Sequence, residues 1–375
     1  MRDQPEVFQQ LQGPVDGGDV HTGGHGVDLG MDLVGRGVAE LQHRLQDQLA
    51  LGGQPQAAFL QGAGQSIGHA ANGRPLRRDG RTSAVPGPTA RIYAAKVTLT
   101  ALAVLGRGLV DPATPLLRAD DLGVLRGDGI FETMHVRSGK PWLLDEHLAR
   151  MARSARRMEL ALPPEEQLRE LAEVACSAAD PAIENTLRLV CTRGPEGADT
   201  VTCFAGIAPV TQASVTPRTR GVSVNTISLG FTAGARGDAP WLLGGVKSLS
   251  YAVNMASQRW ALSQGVDDVL WLSADGFVLE APTSTLVWRS GDRLLTVPVD
   301  ATGILPGTTA RHLLDRSFEL DLAAGEEMIT AAALTAASGA WLLSSVRGIA
   351  EIRSLDGVAL PASPDTARIR SLLGF

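Results

Sequence analysis

The segment DVLWLSADGFVLEA constrains the fold more than any other part of this chain. Two apolar runs flank Asp275-Gly276, a dipeptide suited to a tight reversal, so the segment predicts a β-hairpin. A second hairpin follows in TLVWRSGDRLLTVP, around a Ser-Gly-Asp turn. Just upstream, SLSYAVNMASQRWALSQG reads as a helix that Gly265 stops. Strand pairs alternating with helices make this an α/β chain.

The same pattern runs through residues 99–216. LLDEHLARMARSARRMEL predicts a helix with Asp145 as its N-cap and Leu144, Leu148, Met151, Ala155 and Met158 on one face. LRLVCTRG and VTCFAGIAPV read as buried strands. The polar stretch VTQASVTPRTRG is the best linker candidate, which predicts a small α/β domain over 97–216 and a larger domain over 217–375.

Residues 1–96 are of another kind. The first lysine is Lys96, and Gly- and Pro-dense stretches such as GPVDGGDVHTGGHGVDLG show no sustained period. One segment, residues 37–51, could form an amphipathic helix with Val38, Leu41, Leu45 and Leu49 on one face. A single helix cannot bury that face, so the region is expected to be disordered or to be an over-long start assignment ahead of Val97.

Composition narrows the function. With 375 residues and 44% hydrophobic content the chain can build two domains with real cores. A net charge of −6 argues against a nucleic-acid footprint. No apolar run approaches the roughly 18 residues of a membrane span, and the N-terminus lacks the basic start and apolar centre of a secretory signal. The three cysteines (Cys176, Cys191, Cys203) match no zinc or redox spacing. They are expected to be buried free thiols of a cytoplasmic protein, with no metal.

Three groups then fall in a telling order. Lys247 lies among small and apolar residues in GGVKSLSYAVNMA, where partial desolvation would lower its pKa and free a nucleophilic amine. Glu280 ends the first hairpin between Leu279 and Ala281. Gly307-Thr308-Thr309 opens an apolar helical run, expected over 308–316, whose N-terminus can hold an anion. An amine, a carboxylate and an anion-binding helix start are what pyridoxal phosphate chemistry asks of a protein. Taken singly, each has a plainer reading: a surface lysine, a solvated glutamate, a good helix cap.

The ordered blocks RGDGIFETMHVRSGKPWLLDEHLARMARSA, LRLVCTRG, GVKSLSYAVN, GFVLEAPTSTL and GILPGTTAR together resemble fold-type IV pyridoxal phosphate enzymes, the class IV aminotransferase family. That family includes D-amino acid and branched-chain aminotransferases and 4-amino-4-deoxychorismate lyase; the detail is most similar to actinobacterial lyases. The resemblance runs from about Leu102 to the C-terminus. It implies a two-domain α/β fold with the cofactor in the cleft between domains, a homodimer, and a small-molecule substrate. Residue by residue, it makes Lys247 the Schiff-base lysine and Glu280 the partner of the pyridine nitrogen. Arg150 becomes the phosphate arginine, in place of its alternative reading as a charged outer helix face. Thr308 and Thr309 add phosphate donors, and Leu305 packs on the cofactor ring.

The chain departs from the family at informative places. Phe131 stands where D-amino acid aminotransferases have a tyrosine. After Thr192-Arg193-Gly194 it continues Pro195-Glu196-Gly197-Ala198, without the arginine and histidine that hold the substrate carboxylate in those enzymes. Thr285 replaces an asparagine. Phe131-Glu132-Thr133 looks like the lyase pattern, with Thr133 a hydroxyl near the substrate. Phe131, Arg193, Ser345 and Arg347 are the candidates for substrate binding. The expected reaction is 4-amino-4-deoxychorismate to 4-aminobenzoate and pyruvate, a step of folate synthesis. The alternative is D-amino acid or branched-chain transamination, or both activities in one protein.

Overall fold

A computed structural model describes residues 98–375, all within one compact unit. The expectations for residues 1–96, including the helix over 37–51, lie outside the described residues.

The first half builds β1 (Ala101–Val104), β2 (Gly108–Val110), α1 (Leu122–Arg126), β3 (Gly129–Arg137), β4 (Lys140–Pro141), α2 (Leu144–Arg157), α3 (Glu165–Ser177), β5 (Asn185–Thr192) and β6 (Thr202–Pro209). Its six strands form one sheet in the order β2-β1-β6-β5-β3-β4, antiparallel at every pairing. The two expected buried strands are β5 and β6, and they are neighbours. Their register sets Cys191 directly opposite Cys203, and the two are joined in a disulfide with Cα atoms 4.3 Å apart. This corrects the expectation of three free thiols: only Cys176 is free, and it is buried. A spacing of 12 residues carries no information about strand register, so the pairing was hidden.

Helix α2 packs Leu148, Met151 and Ala155 into the core of this sheet, with Leu144 and Met158 partly buried beside them. A second stripe, His147, Arg150 and Ser154, is buried too, because the strip beside the core is covered by the other half of the chain. Arg150 is therefore no outer-face residue; it is 4% exposed. Asp145 is not the N-cap either. Leu143 takes that position in a left-handed conformation (φ 57°), without a side-chain cap, and Asp145 falls within the first turn. There it faces the helix dipole favourably and pairs with Arg169 at 2.7 Å.

The second half builds β7 (Val222–Ser228), α4 (Ala252–Ser263), β8 (Asp268–Leu272), β9 (Thr285–Ser290), β10 (Arg293–Thr296), α5 (Thr308–Asp315), β11 (Ala323–Glu326), β12 (Gly339–Ser344), β13 (Gly348–Leu355), β14 (Val358–Ala359) and α6 (Asp365–Leu373). The sheet runs β11-β10-β9-β12-β13-β7-β8, with β14 on β13. Both predicted hairpins form. In the first, Trp271 donates to the Glu280 carbonyl at 2.9 Å and Leu279 donates back to Trp271 at 2.8 Å. Gly276 takes φ +88°, which a side chain would resist. The stretch read as a linker folds into two single-turn helices, Gln212–Val215 and Pro217–Arg220. Arg218 within it is buried, fixed to Glu184 at 2.7 Å and to the Val346 carbonyl at 2.8 Å.

One crossing segment positions everything that follows. Strand β4 covers only the Val136–Arg137 end of β3, leaving the other end of that edge open. Residues 247–249 fill it: Phe131 donates to the Lys247 carbonyl at 3.1 Å, and Leu249 donates to Gly129 at 2.8 Å. The loop that carries the lysine is thereby clamped to the first sheet by main-chain bonds.

Candidate active site

Alternation along β3 divides its side chains between two environments. Ile130, Glu132 and Met134 are fully buried, whereas Phe131 and Thr133 are only half-buried. The amine of Lys247 sits over the Phe131 ring, 4.3 Å from its centre, and 5.4 Å from the centre of Tyr251. Phe131 and Tyr251 meet edge-on at 5.3 Å. Burial pulls the Lys247 ammonium down from 10.5 to about 8, and Arg150 adds to that shift against the pull of Glu132 and Glu280.

Glu280 lies where the hairpin ends and is 8% exposed. Its Oε2 accepts from the Leu305 N–H at 3.2 Å, and its Oε1 is 3.4 Å from Arg236 Nη1. Burial pushes this carboxyl up to about 7, opposed by Arg236, the Leu305 amide and Lys247. The next residue continues the line: the Pro306 carbonyl accepts from Arg150 Nη1 at 3.0 Å. Arg150 also grips Glu132 with two prongs, Nε to Oε1 at 2.8 Å and Nη2 to Oε2 at 2.5 Å. Of the five guanidinium N–H groups, two remain beyond these three bonds.

Beyond Pro306, Thr308 and Thr309 open α5 as expected. Gly307 could not be replaced without movement, because an added Cβ would lie 2.1 Å from Thr285 Oγ1. The Thr309 hydroxyl is buried without a partner among the described residues. Thr308 Oγ1 lies 3.2 Å from His147 Nε2 and 3.4 Å from Ser345 Oγ, so these two side chains join the cradle.

The substrate candidates separate. Ser345 bonds His147 Nε2 at 3.1 Å, which puts it with Thr308 and not with Phe131. Arg193 holds Asp128 at 2.7 Å and the carbonyls of Met158 and Glu159 at 2.7 and 3.0 Å. It is a strut between loops, and its donors are taken up there. Arg347 pairs with the fully buried Asp268 at 3.0 Å. Thr133 stays on the Phe131 face, directly opposite Arg188 of β5. Arg188 was missed by sequence reasoning. Its guanidinium lies 5.9 Å from the Phe131 ring centre, is exposed, and makes no ion pair among the described residues. Its charge also bears on Lys247. The alternation in NTLRLVCT placed it on the face away from the core, but only the register with Thr133 shows that this face is the site.

The residues fit pyridoxal phosphate, the cofactor expected from the sequence. A carboxylate, a main-chain strip and an anion cradle follow one another from Glu280 through Leu305 and Pro306 to Arg150 and Thr308. The unpartnered Thr309 hydroxyl supplies a buried donor that nothing among the described residues satisfies. Leu305 gives its N–H to Glu280, at the carboxylate end of this strip.

Comparison with known proteins points the same way. The amino-transferase class IV family model matches residues 129–355. A Mycobacterium tuberculosis protein named as a bifunctional aminodeoxychorismate lyase / D-amino acid transaminase is 39% identical over 268 residues, covering 68% of this chain and 91% of its own. Among solved structures, a hypothetical aminotransferase from Mycobacterium tuberculosis in its PLP-bound form superposes with a TM-score of 0.71 at 38% identity, over 73% of this chain and 97% of the other. A fold IV-transaminase from Curtobacterium pusillum gives a TM-score of 0.69 at 34% identity, over the same 73% and 97%.

Proposed function

This chain belongs to the amino-transferase class IV family, is a fold-type IV enzyme dependent on pyridoxal phosphate, and on that premise we propose that it is a 4-amino-4-deoxychorismate lyase releasing 4-aminobenzoate and pyruvate. The observation that carries the choice is the face around Lys247. It offers Phe131 and Thr133 with, among the described residues, one free cation, Arg188, and the loop after Gly194 has no arginine-histidine pair.

Bound pyridoxal phosphate serves as the sink for the electron pair left at the substrate α-carbon. The protein's part is to bind, orient and move one proton. Arg150, Thr308 and Thr309 hold the phosphate, while Glu280 keeps a proton on the ring nitrogen. Arg188 takes a substrate carboxylate, and the apolar wall of Phe131 and Tyr251 keeps water from the lysine. Lys247, whose amine is neutral above about pH 8, removes the α-proton and returns it to the departing enolpyruvyl group. Loss of that group makes the product aromatic, which drives the step.

Transamination of D-amino acids is the second reading, favoured by the double name of the Mycobacterium tuberculosis relative. It needs the same lysine and the same first proton transfer. The two are separated by supplying 4-amino-4-deoxychorismate in one assay and D-alanine with 2-oxoglutarate in another. Release of 4-aminobenzoate supports the lyase reading; D-glutamate formation without any 4-aminobenzoate overturns it. The enzyme acts in the cytoplasm as a homodimer in this proposal, with exposed Val124, Leu125, Trp241 and Leu242 available for a second copy to cover. Its mass in solution tests that part.

A further inference from the structure

Two buried ionisable side chains take no direct part in the chemistry above. Glu132 leaves β3 on the core side and His147 comes from the first turn of α2; both are 0% exposed. Glu132 Oε2 lies 2.6 Å from His147 Nδ1. An ionised carboxylate only accepts, so the imidazole proton sits on Nδ1 and Nε2 keeps its lone pair. Two hydroxyls face that lone pair, Ser345 Oγ at 3.1 Å and Thr308 Oγ1 at 3.2 Å, and they stand 3.4 Å from each other. One lone pair accepts from one hydroxyl at a time. At 3.4 Å the bond between the two hydroxyls is long, so the other hydroxyl can give its proton to a third partner.

We propose that Glu132 and His147 are positioning residues for the cofactor's phosphate. Glu132 fixes the imidazole tautomer, the imidazole binds one hydroxyl proton, and the second hydroxyl is left aimed at the anion. The same carboxylate holds Arg150 by two prongs, through Nε and Nη2. A single buried acid thus orients the cation directly and the hydroxyls through the ring. Burial lowers the pKa of His147, with Arg150 and Lys247 reinforcing this against the pull of Glu132. The inference rests on pyridoxal phosphate dependence and is independent of whether the enzyme eliminates or transaminates.

The test compares pyridoxal phosphate with pyridoxal, which has the same ring and aldehyde but no phosphate. Each is titrated into the unliganded full chain, read by the absorbance of the lysine-bound ring. His147→Leu removes the acceptor and should weaken pyridoxal phosphate roughly tenfold more than pyridoxal. His147→Gln, which can present an amide oxygen near the Nε2 position, should recover most of that loss. Equal weakening of both ligands, or none, overturns the proposal. Should His147→Leu fail to fold, the wild-type chain carries the decision through 15N-labelled histidine NMR, with His147→Gln identifying the signal. A proton on Nδ1, with and without pyridoxal phosphate, supports the proposal; a proton on Nε2 alone overturns it. Neither measurement depends on turnover, so failure of the lyase reading would leave both results standing. No binding of pyridoxal phosphate by wild type would instead refute the cofactor dependence itself.

Discussion

Arg150 and Glu132 form a two-pronged ion pair inside the protein, with contacts of 2.8 and 2.5 Å and side chains 5% and 0% exposed. Burial alone would push the Glu132 carboxyl up, but Arg150 and His147 hold it well below the ordinary carboxylate range. Removing one partner strands the other without compensation. Glu132→Ala should therefore cost about 3–5 kcal/mol of stability, measured by urea unfolding. A loss within ~0.5 kcal/mol would mean the pair is not formed as described.

Arg236 is expected to set the ionisation of Glu280. It stands 3.4 Å away and opposes the effect of burial. Arg236→Met removes that opposition, so Glu280 should take up its proton at a pH above its present value of about 7. The absorbance of the bound cofactor, followed against pH, should shift in the same direction. A profile that superposes on wild type would exclude the coupling.

The lysine makes a pH prediction with a definite sign. A neutral amine is needed to capture the cofactor, and Lys247 loses its proton near 8 rather than at its ordinary 10.5. Stopped-flow capture of pyridoxal phosphate should accelerate as pH approaches about 8 and level off above it. A rate that keeps climbing towards 10 would mark an unperturbed lysine.

Arg188 is expected to act in binding. Replacing it by Met removes a charge-assisted contact worth about 1.5–3 kcal/mol, so KM for a carboxylate substrate should rise roughly tenfold to a hundredfold, with kcat little changed. An unchanged KM would return the carboxylate role to another residue.

Much of this was legible beforehand, for identifiable reasons. Hairpins announce themselves through turn chemistry, and Asp275-Gly276 made its turn with Gly276 at positive φ. Helix α5 begins at Thr308, where the Gly-Thr-Thr signal placed it, and Glu280 is sheltered as its apolar neighbours implied. What escaped depends on long-range register. Cys191 meets Cys203, and Thr133 meets Arg188, only because β5 pairs with β6 and β3 in one alignment out of several. Asp145 misled because a local capping rule competed with the left-handed turn at Leu143. Glu132 and His147 escaped for a different reason. Their sequence neighbourhood has no signal for a buried acid, and only the approach of Thr308 at the start of α5 and of Ser345 just after β12 gives His147 its hydroxyl partners.

The account stands most directly on Lys247 as the group that moves the proton. Wild type and Lys247→Ala, both loaded with pyridoxal phosphate, should be compared for release of 4-aminobenzoate from 4-amino-4-deoxychorismate by product fluorescence. The account predicts release by wild type and a loss of at least roughly a thousandfold in the variant. A Lys247→Ala protein that released 4-aminobenzoate at the wild-type rate would contradict it.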